Sequence, residues 1–189
     1  SHRFDLTKEK RYTLSDATVE TLKSVKEPLT VEVYLEGDFP ASFKQLQNET
    51  QFLLEEFRKI NPKIDYKFID PIATKMSQDT LQAMGMQPSM LPDMKDGKVS
   101  QIVLFPYAAL KYKGYGTSIS LITNQMGIDA TEQLTTSIEN LEFNFASTIK
   151  SLVADQKKNV GVLVNQDELR VDEFRSFMDM TLENYNAGP

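Results

Sequence analysis

LTVEVYLEGDFPASFKQLQNETQFLLEEFRKINPKIDYKFIDP, residues 29–71, decides how the rest of the chain reads. Val31, Val33 and Leu35 alternate with Thr30, Glu32 and Tyr34, the two-residue period of a strand with unequal faces. The alternation stops at Gly37, and Pro40 stands where the first turn of a helix tolerates a missing N–H. Phe43, Leu46, Leu53, Phe57 and Ile60 then recur on one helical stripe. Pro62 disfavours helical dihedrals at Asn61, which ends that helix. Ile64, Tyr66 and Phe68 alternate again before Asp70-Pro71. Strand, helix and strand with tight joints predict a parallel pair joined by a right-handed crossover.

Outside this unit the signals are weaker. Two short alternating runs, Phe4/Leu6 and Tyr12/Leu14, precede a helix starting at Ser15-Asp16, with Val19, Leu22 and Val25 inward. A helix over about 75–84 stops at Gly85, and residues 86–98 read as a loop with an Asp96-Gly97 turn. Methionines 84, 86, 90 and 94 read as gap-fillers under that loop. Residues 101–105 form an apolar strand, and residues 107–122 a hairpin turning at KGYG. Asp129 and Glu132 have capping-box spacing, and apolar positions from Leu134 to Leu152 predict one long helix. Residues 160–164 and 169–182 read as a strand and a helix.

The expected class is α/β: a thioredoxin-like mixed sheet with helices on both faces, followed by an extra strand–helix unit. Residues 1–28 are an extension, 29–154 the main domain, and 155–189 the start of a second, truncated one.

Composition removes several chemistries. With no cysteine, disulfides, thiol catalysis and thiolate metal sites are excluded. His2 is the single histidine and lies beside the terminus, so a His-based triad or His-rich metal site is not available. A net charge of −6 opposes nucleic-acid binding. No cofactor motif is present, because KGYGT lacks a phosphate-cradling pattern. Glu55/Glu56, Glu139/Glu142 and Asp167/Glu168 are carboxylate pairs expected on solvated faces. Asp38 is expected to satisfy the start of the helix after it. Together with Phe39, and with Tyr107, Tyr112 and Tyr115 on the hairpin, it is the candidate partner surface.

Several long stretches coincide with one family. RFDLTKEKRYTLS (3–15), EVYLEGDFPASFKQLQNETQFLLEEF (32–57), FIDP (68–71), GMQP (85–88) and LITNQMGIDATEQLTTSIENLEFNFASTIKSL (121–152) resemble the gliding-motility-associated ABC-transporter auxiliary proteins, the GldG family of Bacteroidetes. The resemblance spans residues 3–165. It implies a non-enzymatic, extracytoplasmic domain on the periplasmic side of the inner membrane. Transmembrane helices outside residues 1–189 would anchor it. It also implies partnership with a transporter permease and ATPase. The family assigns no catalytic residues. Its GHGE-like turn is replaced here by Asn165-Gln166-Asp167-Glu168. The alternative expectation is a solute-binding module for a carbohydrate or peptide, which demands a pocket with converging polar and aromatic groups.

Overall fold

Two strands, β1 (Arg3–Phe4) and β2 (Tyr12–Thr13), pair antiparallel ahead of α1 (Asp16–Lys23). The βαβ unit follows as β3 (Leu29–Val33), α2 (Ala41–Ile60) and β4 (Ile64–Phe68). Next come α3 (Gln78–Ala83), β5 (Ser89–Lys95), β6 (Lys98–Leu104), β7 (Tyr107–Tyr112), β8 (Tyr115–Ser120), α4 (Ala130–Glu139) and α5 (Leu141–Lys157). The computed structural model describes residues 3–4, 12–124 and 126–157, so the strand and helix read in residues 160–182 lie outside the described residues.

The central sheet has four strands in the order β4-β3-β7-β8. β3 and β4 are parallel, as the tight strand–helix–strand joints require, and Val31 stands level with Tyr66. β7 runs antiparallel to both β3 and β8, so a parallel pair and a hairpin share one sheet. The hairpin turns at Lys113-Gly114, both with positive φ, the geometry that matches strand twist.

Helices cover both faces, but unequally. Leu29, Val31 and Val33 of β3 and Ala108, Leu110 and Tyr112 of β7 face the larger core. Leu22 of α1, Leu53 and Phe57 of α2, Ile138 of α4 and Phe145 and Ile149 of α5 fill it. The opposite face carries a smaller cluster of Tyr34, Ile69, Leu81, Met84, Met86, Phe105 and Ala109 under the short α3. Gly85, at φ +81, closes α3: the Met86 N–H reaches the Leu81 carbonyl, the six-to-one bond of a Schellman end.

Two expectations are corrected. Residues 89–98 are not a loop: β5 pairs with β6 over seven residue positions, around a turn at Asp96 and Gly97, both at positive φ. Pro88 and Pro92 disguised the strand, yet a two-stranded ribbon leaves Pro92 an edge position where no N–H is needed. The long helix read from Leu134 to Leu152 is two helices, broken at Asn140 (φ −93, ψ −2), so that α4 packs on α2 while α5 packs on α1 and β8. Within the expected extension of residues 1–28, the described residues 14–28 join the main core. Leu22 and Val25 lie in the main core, and the Asn61 amide donates to both their carbonyls at 2.8 and 2.9 Å.

Candidate functional site

A cavity of about 520 Å³ opens at the end of the sheet where α2 begins. Five chain segments build it. α2 contributes Ser42, Phe43 and Gln45 from its first turns, with Pro40 just ahead of them. β5 supplies Ser89, Leu91 and Pro92, and Pro106 and Tyr107 enter at the start of β7. Ser120, Ile122 and Asn124 come from the end of β8 and beyond it. One side of α4, running from Ala130 to Ile138, forms the remaining wall. None of the eighteen lining residues is charged, in a chain where one residue in four is.

The sequence explains why this corner stays open. Pro40 is the N-cap of α2 and has no side chain to bond the first-turn amides. Asp38 does not cap it either. Its carboxylate is exposed and meets the Lys95 ammonium at 3.2 Å, tying the loop to the tip of the ribbon. α4 begins on the other side with its own cap, the Asp129 carboxylate accepting from the Glu132 N–H at 2.8 Å. At its exposed rim the Gln133 amide donates to Asn124 at 3.0 Å. Gln45, Ser42 and Ser89 make no side-chain hydrogen bond among the described residues.

The proposed partner surface does not assemble as one patch. Phe39 is buried, with the Lys44 ammonium 4.6 Å from its ring centre. Tyr112 is buried in the larger core, and Tyr115 stands opposite it across the hairpin. Tyr107 sits five residues earlier on β7, so the two-residue period turns it to the other face, where it packs on the smaller cluster and lines the cavity. Exposed apolar surface appears instead on the β5–β6 ribbon, where Met90, Met94 and Val99 are 59–74% exposed. Met94 and Val99 are cross-strand partners, so they share one face. Met84 and Met86 do fill a gap, as read; Met90 and Met94 do not.

Two carboxylates were missed. Glu32, read as facing the weaker side of its strand, is fully buried on the smaller-cluster face. It accepts from the Tyr34 hydroxyl at 3.3 Å, and its second oxygen has no partner. Burial holds its pKa above the usual carboxyl range, against the pull of Lys67, the Tyr34 bond and Lys111. Burial and the Glu32 charge likewise push the Tyr34 phenol upward. Glu142, expected to be solvated, is buried and accepts from the Thr18 hydroxyl at 3.0 Å and the Ser15 N–H at 3.4 Å, bracing the start of α1. Glu55 behaves as expected of a surface carboxylate: the Tyr66 hydroxyl and Arg58 bond it and lower its pKa. Asp167 and Glu168 lie outside the described residues. Among the described residues no three acidic or histidine side chains converge as a metal-binding group, and no helix is long and apolar enough to cross a membrane.

The family described as a domain of unknown function, DUF7088, matches residues 8–111. The chain belongs to it. The DUF7088 match runs from ahead of β2 to Lys111 in β7, so it holds the βαβ unit, α3 and the ribbon. The cavity therefore straddles the limit of the DUF7088 match: its α2, β5 and β7 walls lie inside, its β8 and α4 walls beyond. An uncharacterized protein of Borreliella burgdorferi is 25% identical over 169 residues, 89% of this chain and 30% of that protein. The chain thus spans just under a third of that relative's length. No solved structure matches.

Proposed function

We propose that this chain is a thioredoxin-like, non-enzymatic accessory domain of an ABC transporter, acting by contact with other proteins. Membrane helices outside residues 1–189 hold it on the periplasmic side of the inner membrane, where it meets the permease, and through it the ATPase, in gliding motility. The resemblance of residues 3–165 to the GldG family is the source of this reading. The observation that supports it is the β5–β6 ribbon, which carries Met90, Met94 and Val99 out of the core with their side chains in water. Flexible, polarizable methionines on an exposed strand pair suit an adaptable protein contact. Capture of the permease by the full-length protein tests it. Met94→Asp with Val99→Asp should abolish capture while leaving the melting temperature unchanged; undiminished capture by that double variant would remove the ribbon from the proposal.

The cavity favours a second reading, a solute-binding module. Its volume falls within the ~300–1,000 Å³ of small-molecule sites, and aromatic Phe43 stands among amides and hydroxyls in its lining.

A further inference from the structure

We infer that the cavity at the start of α2 takes an uncharged carbohydrate. This rests on the solute-binding reading and narrows it to one chemical class.

The absence of charge is the first argument. A charged ligand held in a walled site needs an opposite charge or a dense set of hydrogen bonds to replace its lost water. Among the described residues no acidic or basic side chain lines this cavity, although the chain is a quarter charged. The site therefore penalises ions of either sign and leaves neutral solutes unpenalised.

The kind of polarity is the second. Gln45, Asn124 and Gln133 each carry both a donor and an acceptor on one amide. Because Gln133 already donates to Asn124, a donor on Asn124 and the acceptor on Gln133 remain for a ligand. Sugar hydroxyls likewise donate and accept from a single atom, so they satisfy such amides in either direction. Phe43 and Leu134, both partly buried beside the larger core, add apolar surface that suits the C–H face of a pyranose ring.

A peptide fits this wall less well. An extended peptide asks for a free strand edge with evenly spaced N–H and C=O groups. The strand residues here are Tyr107 and Ser120 at strand ends, and a β5 stretch containing Pro92, which has no N–H.

Ligand-observed NMR on the 189-residue chain tests this, using maltose, cellobiose and N,N′-diacetylchitobiose as neutral probes. A uronic-acid disaccharide and acetyl-trialanine amide serve as the charged and peptide controls. At least one neutral disaccharide should bind, with the uronic-acid probe about tenfold weaker or worse. Thr131 lines the cavity from an exposed position on α4, so its substitutions keep the fold. Thr131→Arg should weaken sugar binding about tenfold or more, and Thr131→Gln, neutral and of similar length, should weaken it less. Binding of the peptide alone would overturn the carbohydrate assignment and leave the solute-binding reading standing. Binding of no probe would overturn both. Equal binding of the neutral and acidic sugars, or equal losses for Arg and Gln at 131, would overturn the charge argument and the inference with it.

Discussion

Glu32 lies in one of the two central strands of the sheet, with one oxygen bonded to Tyr34 and the other without a partner among the described residues. Its folded pKa is raised above the ordinary 4.5, chiefly by burial. A carboxyl of this kind stabilises the fold below its unfolded value, and that stability drains away as pH rises through the folded one. Glu32→Gln, which removes the charge and keeps the shape, should therefore stabilise the chain by about 1–2 kcal/mol at pH 7. The gain should shrink as pH falls toward 4.5, measured by urea denaturation across that window. A gain that grows on acidification would show that the charged form is the favoured one. Glu142 is also buried with one oxygen unpartnered, but its other oxygen braces a helix start. Glu142→Ala should cost about 2–3 kcal/mol, as for a lost bond to a charged group, with amide exchange rising first in α1. Neither residue's role was legible in the sequence. The partner of Glu142 is 124 positions away, and the burial of Glu32 depends on α3 closing over a face whose spacing read as the weaker one.

At the level of elements, reading by period succeeded where burial was one-sided. β3, α2 and β4 show their inner faces in the chain itself, and so their parallel pairing followed from tight joints alone. β5 escaped because two prolines and a turn dipeptide outweighed its alternation, and the break at Asn140 escaped because apolar residues continue across it. The ribbon turn yields a clean prediction. Gly97 sits at φ +74 with nothing within 4 Å of where a Cβ would be, so Gly97→Ala introduces backbone strain and no clash. It should cost about 1–2 kcal/mol, seen as faster hydrogen exchange in β5 and β6 with the other strands unaffected. α2 offers the contrast. Phe57 is fully buried in the larger core, and Phe57→Ala should cost about 3–5 kcal/mol, lowering the denaturation midpoint of the whole chain.

Across the described residues, one core runs from α1 to α5 and takes in side chains from both sides of residue 28. A chain beginning at Leu29 should lose about 2 kcal/mol for each of Leu22 and Val25, together with their bonds from Asn61. Denaturant titration of both lengths checks this; equal midpoints would mean that α1 is dispensable. The cavity could not have been found in the sequence, because its wall is drawn from segments as far apart as Pro40 and Ile138, each unremarkable alone. The unequal cover of the sheet has a consequence for motion. Among the described residues four helices insulate one side, while a single six-residue helix shields the other. Warming should admit water on that thin flank well before the chain melts, loosening α3 and the ribbon beside it. The protein is then a stiff keel with one pliant gunwale, able to reshape its rim while its backbone framework holds still.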